Sequence, residues 1–484
     1  MKLVKKEYVK YLEWAFKLAY LLLGLVTFNA FLYDSPVQPL LVKGCLILGA
    51  LALLGRMIYW KDYVKTPYLV VLVLFCASFG ISILVNWKYG AGIADMKWMI
   101  WTGFLFFLLY MCDTKREKSS YKKEFHFFSH VLLLYSGGAA AVSLYLMQTL
   151  YHAKWFTSGN ELMLAGFYWG RLWGVYTDPN YGGVLSTLAV LLCLYHCMTK
   201  KSWKKIPYVL ILAVNYGYIL FADSRTAELA LALASVFWLI FAGVTGKWAK
   251  KTFALRVLMV VFAAVVFIGG GSHVKTGYSE KIEAEIKIMD AQKQQNTQKQ
   301  NTQAQNTQKT QQTQQTQQTQ QTQQTQQTQQ TERAADLEKD VTNGRIALWK
   351  SGLEIWQTSP VVGTGYNSFL PYVREKLPDT YAVHNSQGEY VSLHNEYLNI
   401  MVYQGLLGIG IFLAFGILVF CRWGKNILKT EDSDRNYIGI LSACILVVAV
   451  AMGFLMEGLY TNSPAAFVLW TFLGYLMQYM QSTK

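Results

Sequence analysis

The feature that most constrains the fold of this chain is a series of long apolar runs that recurs along its 484 residues. Each run has roughly 18 residues or more, enough for a helix to cross a hydrocarbon layer of about 30 Å. A helix also satisfies its own backbone hydrogen bonds in lipid, where water cannot. The runs predict about twelve transmembrane helices, near residues 12–33, 38–58, 67–86, 94–112, 126–150, 181–199, 206–222, 226–245, 252–270, 396–421, 437–458 and 464–481.

The composition supports membrane insertion over a soluble fold. Only 15% of the residues are charged, whereas a soluble domain carries about 25%. The predicted fold class is therefore an all-α integral membrane protein with one large extracytoplasmic loop that contains interfacial helices.

The basic residues predict the orientation of the chain. The net charge of +15 would suit nucleic acid, but the lysines and arginines cluster before the first predicted span and after the second, fourth, sixth, eighth and tenth. By the positive-inside rule, both termini then lie in the cytoplasm of a multi-pass cell-membrane protein, and no nucleic-acid partner is expected. The short loops on the other side hold four basic residues, namely Lys88, Lys154, Arg171 and Arg225.

Three regions follow from this topology. Residues 1–270 contain spans one to nine, residues 271–395 form the large extracytoplasmic loop, and residues 396–484 contain spans ten to twelve. Within the loop, residues 292–331 are rich in Gln and Thr and have no apolar periodicity, which predicts a disordered insert. After the insert, apolar residues at helical spacing (Ile346, Trp349, Leu353 and Trp356) predict an amphipathic helix in the outer interface.

A second outer loop, residues 151–180, is aromatic throughout. This composition favours a re-entrant or membrane-hugging segment over a soluble loop. The seven cysteines lie within spans or at their cytoplasmic edges, so no disulfide framework is expected. Cys193, His196 and Cys197 cluster, but buried apolar cysteines are the commoner interpretation, and no metal is expected.

Three polar residues are predicted where the outer leaflet meets water: Arg225, Arg345 and His394. Each has an ordinary explanation, because Arg225 can snorkel to lipid phosphates, Arg345 can join a charge network and His394 can cap a helix. Together they suggest a catalytic site. Two arginines provide permanent, bidentate charge for a diphosphate, and a histidine can take a proton from a sugar hydroxyl near neutral pH.

Four short motifs give the chain a family resemblance. They are His394-Asn395 with Gly405-Leu406-Leu407-Gly408, Asn343-Gly344-Arg345 through Trp349 to Pro360, Gly363 and Gly365, Ser224-Arg225-Thr226-Ala227, and Gly174 to Asp178-Pro179-Asn180. In order and spacing they resemble the signature of the O-antigen ligase and Wzy-type polysaccharide polymerase superfamily. The resemblance covers roughly residues 170–425, with the Gln/Thr-rich tract as an insert.

This resemblance implies a metal-independent glycosyltransferase without a cofactor, whose active site is extracytoplasmic and whose donor is a glycan on undecaprenyl diphosphate. Arg225 and Arg345 would hold the diphosphate, and His394 would be the general base. The implied partners are a polysaccharide or lipid-linked acceptor, membrane lipids, and flippase and chain-length regulator proteins. Weaker candidates for substrate binding are Arg171, Asn180, Asn395 and Glu457, the last with a structural ion pair as its alternative.

Several alternatives remain open. His384-Asn385 repeats the His-Asn pair, but the residue ten positions after Asn385 is Asn395, where the motif has glycine. A lipid-linked glycan transporter or flippase is a second class, although the halves of the chain show no obvious repeat. A mannosyl- or oligosaccharyltransferase type would carry catalytic acids in the first outer loop, which here holds a single aspartate, Asp34. Polymerase and ligase share the donor and are not separated by these residues.

Overall fold

A computed structural model describes residues 5–246, 255, 258, 275–295, 344–385 and 388–481. The predicted span 252–270, apart from Leu255 and Leu258, and most of the predicted insert lie outside the described residues. The helices are α1 Lys6–Thr27, α2 Val37–Ile58, α3 Trp60–Tyr63, α4 Leu69–Val85, α5 Gly92–Phe104 with a π-helical extension Leu105–Tyr110, α6 Lys118–Gln148, α7 Pro179–Thr199, α8 Ile206–Ala222, α9 Arg225–Thr245, α10 275–295, α11 Arg345–Thr358, α12 Phe369–Lys376, α13 Glu396–Ile427, α14 Arg435–Met452 and α15 Pro464–Gln481.

The described part of the chain contains eight helices that are long and apolar enough to cross a membrane: α2, α5 with its extension, α6, α7, α8 with the turn before it, α9, α13 and α14. Helix α4 is apolar but shorter. Helices α1 and α15 coincide with the predicted first and last spans without belonging to this group. The prediction of a mostly helical, multi-pass membrane protein is confirmed in this form, while the number twelve and the side of each loop stay predictions.

The helices differ in how much of their surface faces other protein. Every residue of α15 from Pro464 to Met480 is buried, so this helix is enclosed by its neighbours. Helix α2 instead exposes one apolar stripe, with Leu40, Ile47 and Leu54 all more than half exposed. An apolar stripe of this kind suits contact with lipid, and a helix buried all round belongs to the core.

The aromatic loop forms a small sheet at residues 152–174, which the sequence did not predict. Strands β1 His152–Phe156, β2 Leu162–Tyr168 and β3 Arg171–Gly174 pair antiparallel in the order β1-β2-β3. Aromatic residues favour strands as well as membrane interfaces, and the ladder satisfies the backbone of this segment. Within the described residues, this sheet departs from the all-α description.

Helix α13 is broken at Gly405, where the sequence predicts an uninterrupted span. Gly405 has φ 64° and ψ −162°, outside the helical region. The segment after α11 enters the break: Leu406 N donates to Pro360 O at 2.8 Å, and Thr364 and Gly365 donate to Val402 O and Tyr403 O at 2.9 and 3.0 Å. This pairing satisfies backbone groups that the break leaves without helical partners. The glycine turn 361–365 is thus a packing element that fixes α11 against α13.

Replacing Gly405 by Ala is expected to destabilise the protein by roughly 2–4 kcal/mol, because strain and overpacking add. A Cβ at Gly405 would lie 2.2 Å from the carbonyl carbon and oxygen of Val361, and the positive φ disfavours any side chain. Thermal unfolding in detergent would measure the change. Gly410→Ala, on the same helix with nothing within 4 Å, is the matched control. Equal melting temperatures for the two variants would contradict the packing role.

Candidate active site at the helix termini

The three residues predicted for the site all lie at helix N-termini. Arg225 is the first residue of α9, Arg345 is the first residue of α11, and His394 stands two residues before α13. Ser224 caps α9 by accepting from Ala227 N at 3.3 Å, and Asn395 caps α13 by accepting from Leu398 N at 3.1 Å. The positive end of each helix dipole therefore lies beside one of these side chains, which favours an anion there.

His394 is held in an unusual backbone conformation. Its φ of 48° is left-handed, which costs a non-glycine residue roughly 1–2 kcal/mol. The neighbouring residue enforces it: Leu393 is fully buried, its N–H donates to Asn399 Oδ1 at 2.9 Å, and its carbonyl accepts from Trp349 Nε1 at 3.1 Å. The same bonds tie the start of α13 to α11, and so bring His394 close to Arg345.

The imidazole of His394 is half-buried. Its ring lies 5.9 Å from that of Tyr390 in an edge contact, and among the described residues no hydrogen bond reaches either ring nitrogen. Burial lowers the pKa of His394, Arg345 lowers the pKa further, and Asp178 opposes both. The imidazole is therefore neutral at physiological pH and able to accept a proton.

His384, the histidine of the other His-Asn pair, lies on an exposed turn. It is exposed, and Asn385 stabilises the turn around it by donating to Tyr381 O at 2.7 Å and Gly388 O at 2.8 Å. Asn385 thus stabilises an exposed turn, whereas Asn395 caps α13.

Arg345 presents a half-buried guanidinium to this region. Burial lowers the pKa of Arg345, and Arg171 and Arg225 lower it further by repulsion, while Asp178 raises it. Within the described ranges no carboxylate comes within ion-pair distance of Arg345, and its ring contact is Phe454, with the guanidinium carbon 6.0 Å from the ring centroid. The positive charges of Arg171 and Arg225 thus repel that of Arg345, which an anion bound at Arg345 would relieve.

Arg171 and Asn180 are bonded to each other. Arg171 Nη2 donates to Asn180 Oδ1 at 3.0 Å, and Arg171 Nε donates to Ala222 O at 2.9 Å. Ala222 is the last residue of α8, three residues before Arg225. These two bonds connect the start of β3 to the start of α7 and the end of α8. They fix Arg171 against the end of α8, three residues before Arg225.

Glu457 lies outside the helix to which the sequence assigned it. Helix α14 ends at Met452, six residues earlier than predicted, because residues 453–463 form an irregular segment with glycines at 453 and 458. The carboxyl is 2% exposed, its Oε2 has no hydrogen-bond partner, and no ion pair forms with any described residue. It lines a narrow cavity together with Phe28, Tyr176, Tyr181, Leu185, Ser463, Pro464 and Ala465.

The environment of Glu457 predicts a pH-dependent effect on stability. Burial, then the charges of Glu396 and Asp178, raise the pKa of Glu457 well above its ordinary value. The folded state therefore keeps a proton that the unfolded state loses above about pH 4.3. The free energy of unfolding of the wild-type protein consequently falls as pH rises. Glu457→Gln should raise the melting temperature at pH 8 and lose that advantage near pH 4. Glu431→Gln, at an exposed position, is the control, and an equal shift in both variants would contradict the argument.

Two acidic residues near the site were not singled out from the sequence. Asp178 was noted only as part of a motif, and Glu396 only as the residue after His394-Asn395. Glu396 is fully buried and accepts from Leu459 N at 2.9 Å and Tyr460 N at 3.2 Å. An acidic residue inside an apolar run was the available signal, since such residues need partners in a membrane.

Cys193, His196 and Cys197 lie near the C-terminal end of α7, where His196 contacts aromatic and hydroxyl groups. His196 Nε2 lies 3.2 Å from Ser129 Oγ, and its ring stacks on Tyr208 with centroids 4.7 Å apart. In the part of the chain that the structure describes, no group of three or more His, Cys, Asp or Glu side chains could hold a metal ion.

The fold and the site together define a multi-pass, mostly helical membrane protein with a basic, histidine-bearing site at its helix termini. Residues 207–413 match the family described as O-antigen ligase. This match confirms the resemblance to the O-antigen ligase and Wzy superfamily for that region. The match includes Arg225, Arg345 and His394, whereas Arg171, Asn180 and Glu457 lie outside it. No curated protein matches the chain.

Proposed function

We propose that this protein is a glycosyltransferase that takes a glycan from an undecaprenyl-diphosphate donor on the outer face of the membrane and uses it to polymerise surface polysaccharide repeat units. The family match indicates a membrane enzyme that acts on polysaccharide. The observation that carries the finer proposal is the pairing of a neutral, accessible imidazole at His394 with an unpaired guanidinium at Arg345. Base and anion site are the two functions that this transfer requires.

The proposed reaction is a single displacement. The acceptor hydroxyl oxygen attacks the anomeric carbon of the donor sugar, and the bond from that carbon to the diphosphate oxygen breaks with its electron pair. His394 accepts the hydroxyl proton, which increases the nucleophilicity of the oxygen. Arg345 and Arg225 stabilise the negative charge that develops on the leaving diphosphate. This chain's own side chains perform both tasks.

The secondary candidates contribute unequally. Arg171 already uses two of its nitrogens on Ala222 and Asn180, so its proposed part is to add charge from a fixed position. The side-chain oxygen of Asn395 caps α13, so a substrate contact would have to come from its amide nitrogen. Glu457 faces a cavity with an unpartnered oxygen and is the proposed contact for an acceptor hydroxyl.

The test is a gel of products from purified protein incubated with its lipid-diphosphate-linked repeat unit. A ladder of increasing length, absent with His394→Ala, would support a polymerase. Product that forms only after a different acceptor is added would identify a ligase instead. Movement of the lipid-linked glycan across vesicles without a new glycosidic bond would overturn the enzyme proposal in favour of a flippase. Flippase and chain-length regulator proteins remain proposed partners.

A further inference from the structure

Helix α10, at residues 275–295, packs on the rest of the protein through one face. Lys275, Ser279, Ile282 and Ile286 are buried or half-buried and follow one another at intervals of four, three and four residues. This spacing places them on a single side of a helix. Ile282 is 5% exposed and belongs to the main hydrophobic core. Helix α10 is therefore docked on its neighbours rather than a solvated connection.

The start of α10 contacts the junction between α8 and α9. Lys275 Nζ forms an ion pair with Asp223 Oδ1, and Tyr278 contacts Phe221 with ring centroids 5.6 Å apart. Asp223 ends α8 in a left-handed conformation with φ 51°, and Ser224 after it caps α9. A left-handed conformation is unfavourable for a residue other than glycine, so this junction depends on contacts that hold it.

The small sheet holds the same junction. Arg171 Nε donates to Ala222 O at 2.9 Å, and Ala222 lies between the two residues that α10 contacts. Three consecutive residues, 221–223, thus have partners outside α8 and α9. Arg225 follows two residues later as the first residue of α9. These contacts therefore determine where α9, and with it Arg225, begins.

Further along, α10 contacts the sheet that carries Arg171. His152 Nε2, on β1, lies 2.9 Å from Asp290 Oδ1. A Cβ on Gly170 would lie 3.8 Å from Glu283 Oε2, and Gly170 immediately precedes Arg171. Helix α10 therefore bridges the α8–α9 junction and the sheet, the two elements that carry the arginines.

We propose that α10 is a brace for these arginines and that Lys275 is a positioning residue: its ion pair with Asp223 holds the start of α9 so that Arg225 is placed to bind the donor diphosphate. The inference rests on the proposed function for the ligand of Arg225. Lys275 acts through the junction, without contacting the diphosphate itself. A guanidinium on a fixed helix start binds an anion more tightly than a mobile one, because less conformational freedom is lost on binding.

Two substitutions that break the same ion pair separate positioning from plain electrostatic attraction. Lys275→Gln removes a positive charge, whereas Asp223→Asn removes a negative one and keeps a residue that tolerates a positive φ. Both variants should bind undecaprenyl diphosphate roughly fivefold more weakly, the upper end for a partly exposed ion pair. The double variant should bind no more weakly than either single variant, because all three lose one contact. Thermal-shift titration of the full-length protein in detergent measures each affinity.

Attraction alone predicts the opposite sign for Asp223→Asn. If Lys275 served only as a positive charge near the diphosphate, loss of the neighbouring carboxylate should strengthen binding. Stronger binding by Asp223→Asn, or losses that add in the double variant, would overturn the brace. A lower melting temperature of the unliganded protein with unchanged affinity would also overturn it, since the ion pair would then be a structural contact only.

Lys281→Gln is the matched control. It removes the same charge from the same helix, but at an exposed position, so the affinity should stay at the wild-type value. Lys275→Arg keeps a cation for Asp223 and should restore the affinity. An equal loss in Lys281→Gln and Lys275→Gln would show an effect of net charge and contradict the brace.

Arg225→Ala distinguishes failure of the proposed function from failure of the brace. Wild-type binding by Arg225→Ala would remove this arginine from the proposed donor site, and the brace would lose its ligand with it. Weak binding by Arg225→Ala together with wild-type binding by Lys275→Gln would overturn the brace alone. Weak binding by both, with unchanged binding by Lys281→Gln, is the expected result.

Discussion

Replacing His394 by Ala should lower the rate of glycan transfer by roughly 10²–10⁴-fold, the usual loss when a general base is removed. The imidazole is neutral and free of protein hydrogen bonds within the described residues, so its removal deletes an acceptor for the hydroxyl proton and little else. Binding of undecaprenyl diphosphate, followed by thermal shift of the purified protein, should stay near the wild-type affinity. Loss of rate with retained binding is the pattern expected for a base.

Two further variants separate chemistry from backbone strain at this position. His394→Asn keeps a residue that tolerates a positive φ but lacks a suitable base, so it should be as inactive as the alanine variant. His384→Ala removes the exposed histidine of the other His-Asn pair and should leave the rate unchanged. An active His394→Asn enzyme would remove His394 as the proposed base.

Replacing Arg345 by Ala should weaken the binding of undecaprenyl diphosphate by roughly 10–100-fold, since a hydrogen bond to a charged group contributes about 1.5–3 kcal/mol. The guanidinium is half-buried, without a carboxylate partner in the described ranges, and is repelled by the charges of Arg171 and Arg225. Arg345→Lys should restore only part of the affinity, because an ammonium cannot form the bidentate contact. The same thermal-shift titration measures both variants.

Arg374→Ala is the matched control for Arg345. Arg374 lies on α12 in the same loop, but it is exposed and already paired with Glu389. Its loss should leave the affinity for undecaprenyl diphosphate unchanged. Wild-type affinity in Arg345→Ala, or full rescue by lysine, would contradict a bidentate anion site.

The sequence identified most of the candidate site because its signals are local. Arg225, Arg345 and His394 are ionisable residues at the ends of apolar or amphipathic runs, where their desolvation cost makes them conspicuous. Their motifs also fall within the O-antigen ligase match. The link between Arg171 and Asn180 was not visible in this way, because two residues nine positions apart meet only through the turn between β3 and α7.

The same distinction, between local signals and contacts distant in sequence, applies to the fold. Long apolar runs determined a helical membrane protein, since hydrocarbon leaves the backbone few other ways to satisfy its hydrogen bonds. The break at Gly405 and the sheet at residues 152–174 were not readable from these runs. Both depend on partners distant in sequence: Pro360 to Gly365 enters the break in α13, and β2 pairs with strands on both sides.

By itself, the sequence determined the membrane class, the family resemblance and the identity of the base and anion-binding candidates, because hydrophobicity, charge and motif spacing are properties of single segments. Only the tertiary structure decided which of these residues share one electrostatic environment. The charges of Arg345 and Asp178 act on the pKa of His394, and those of Asp178, Arg171 and Arg225 act on the pKa of Arg345. Coulomb interactions act through space, so residues more than 150 positions apart in the chain acquired their common environment from packing alone.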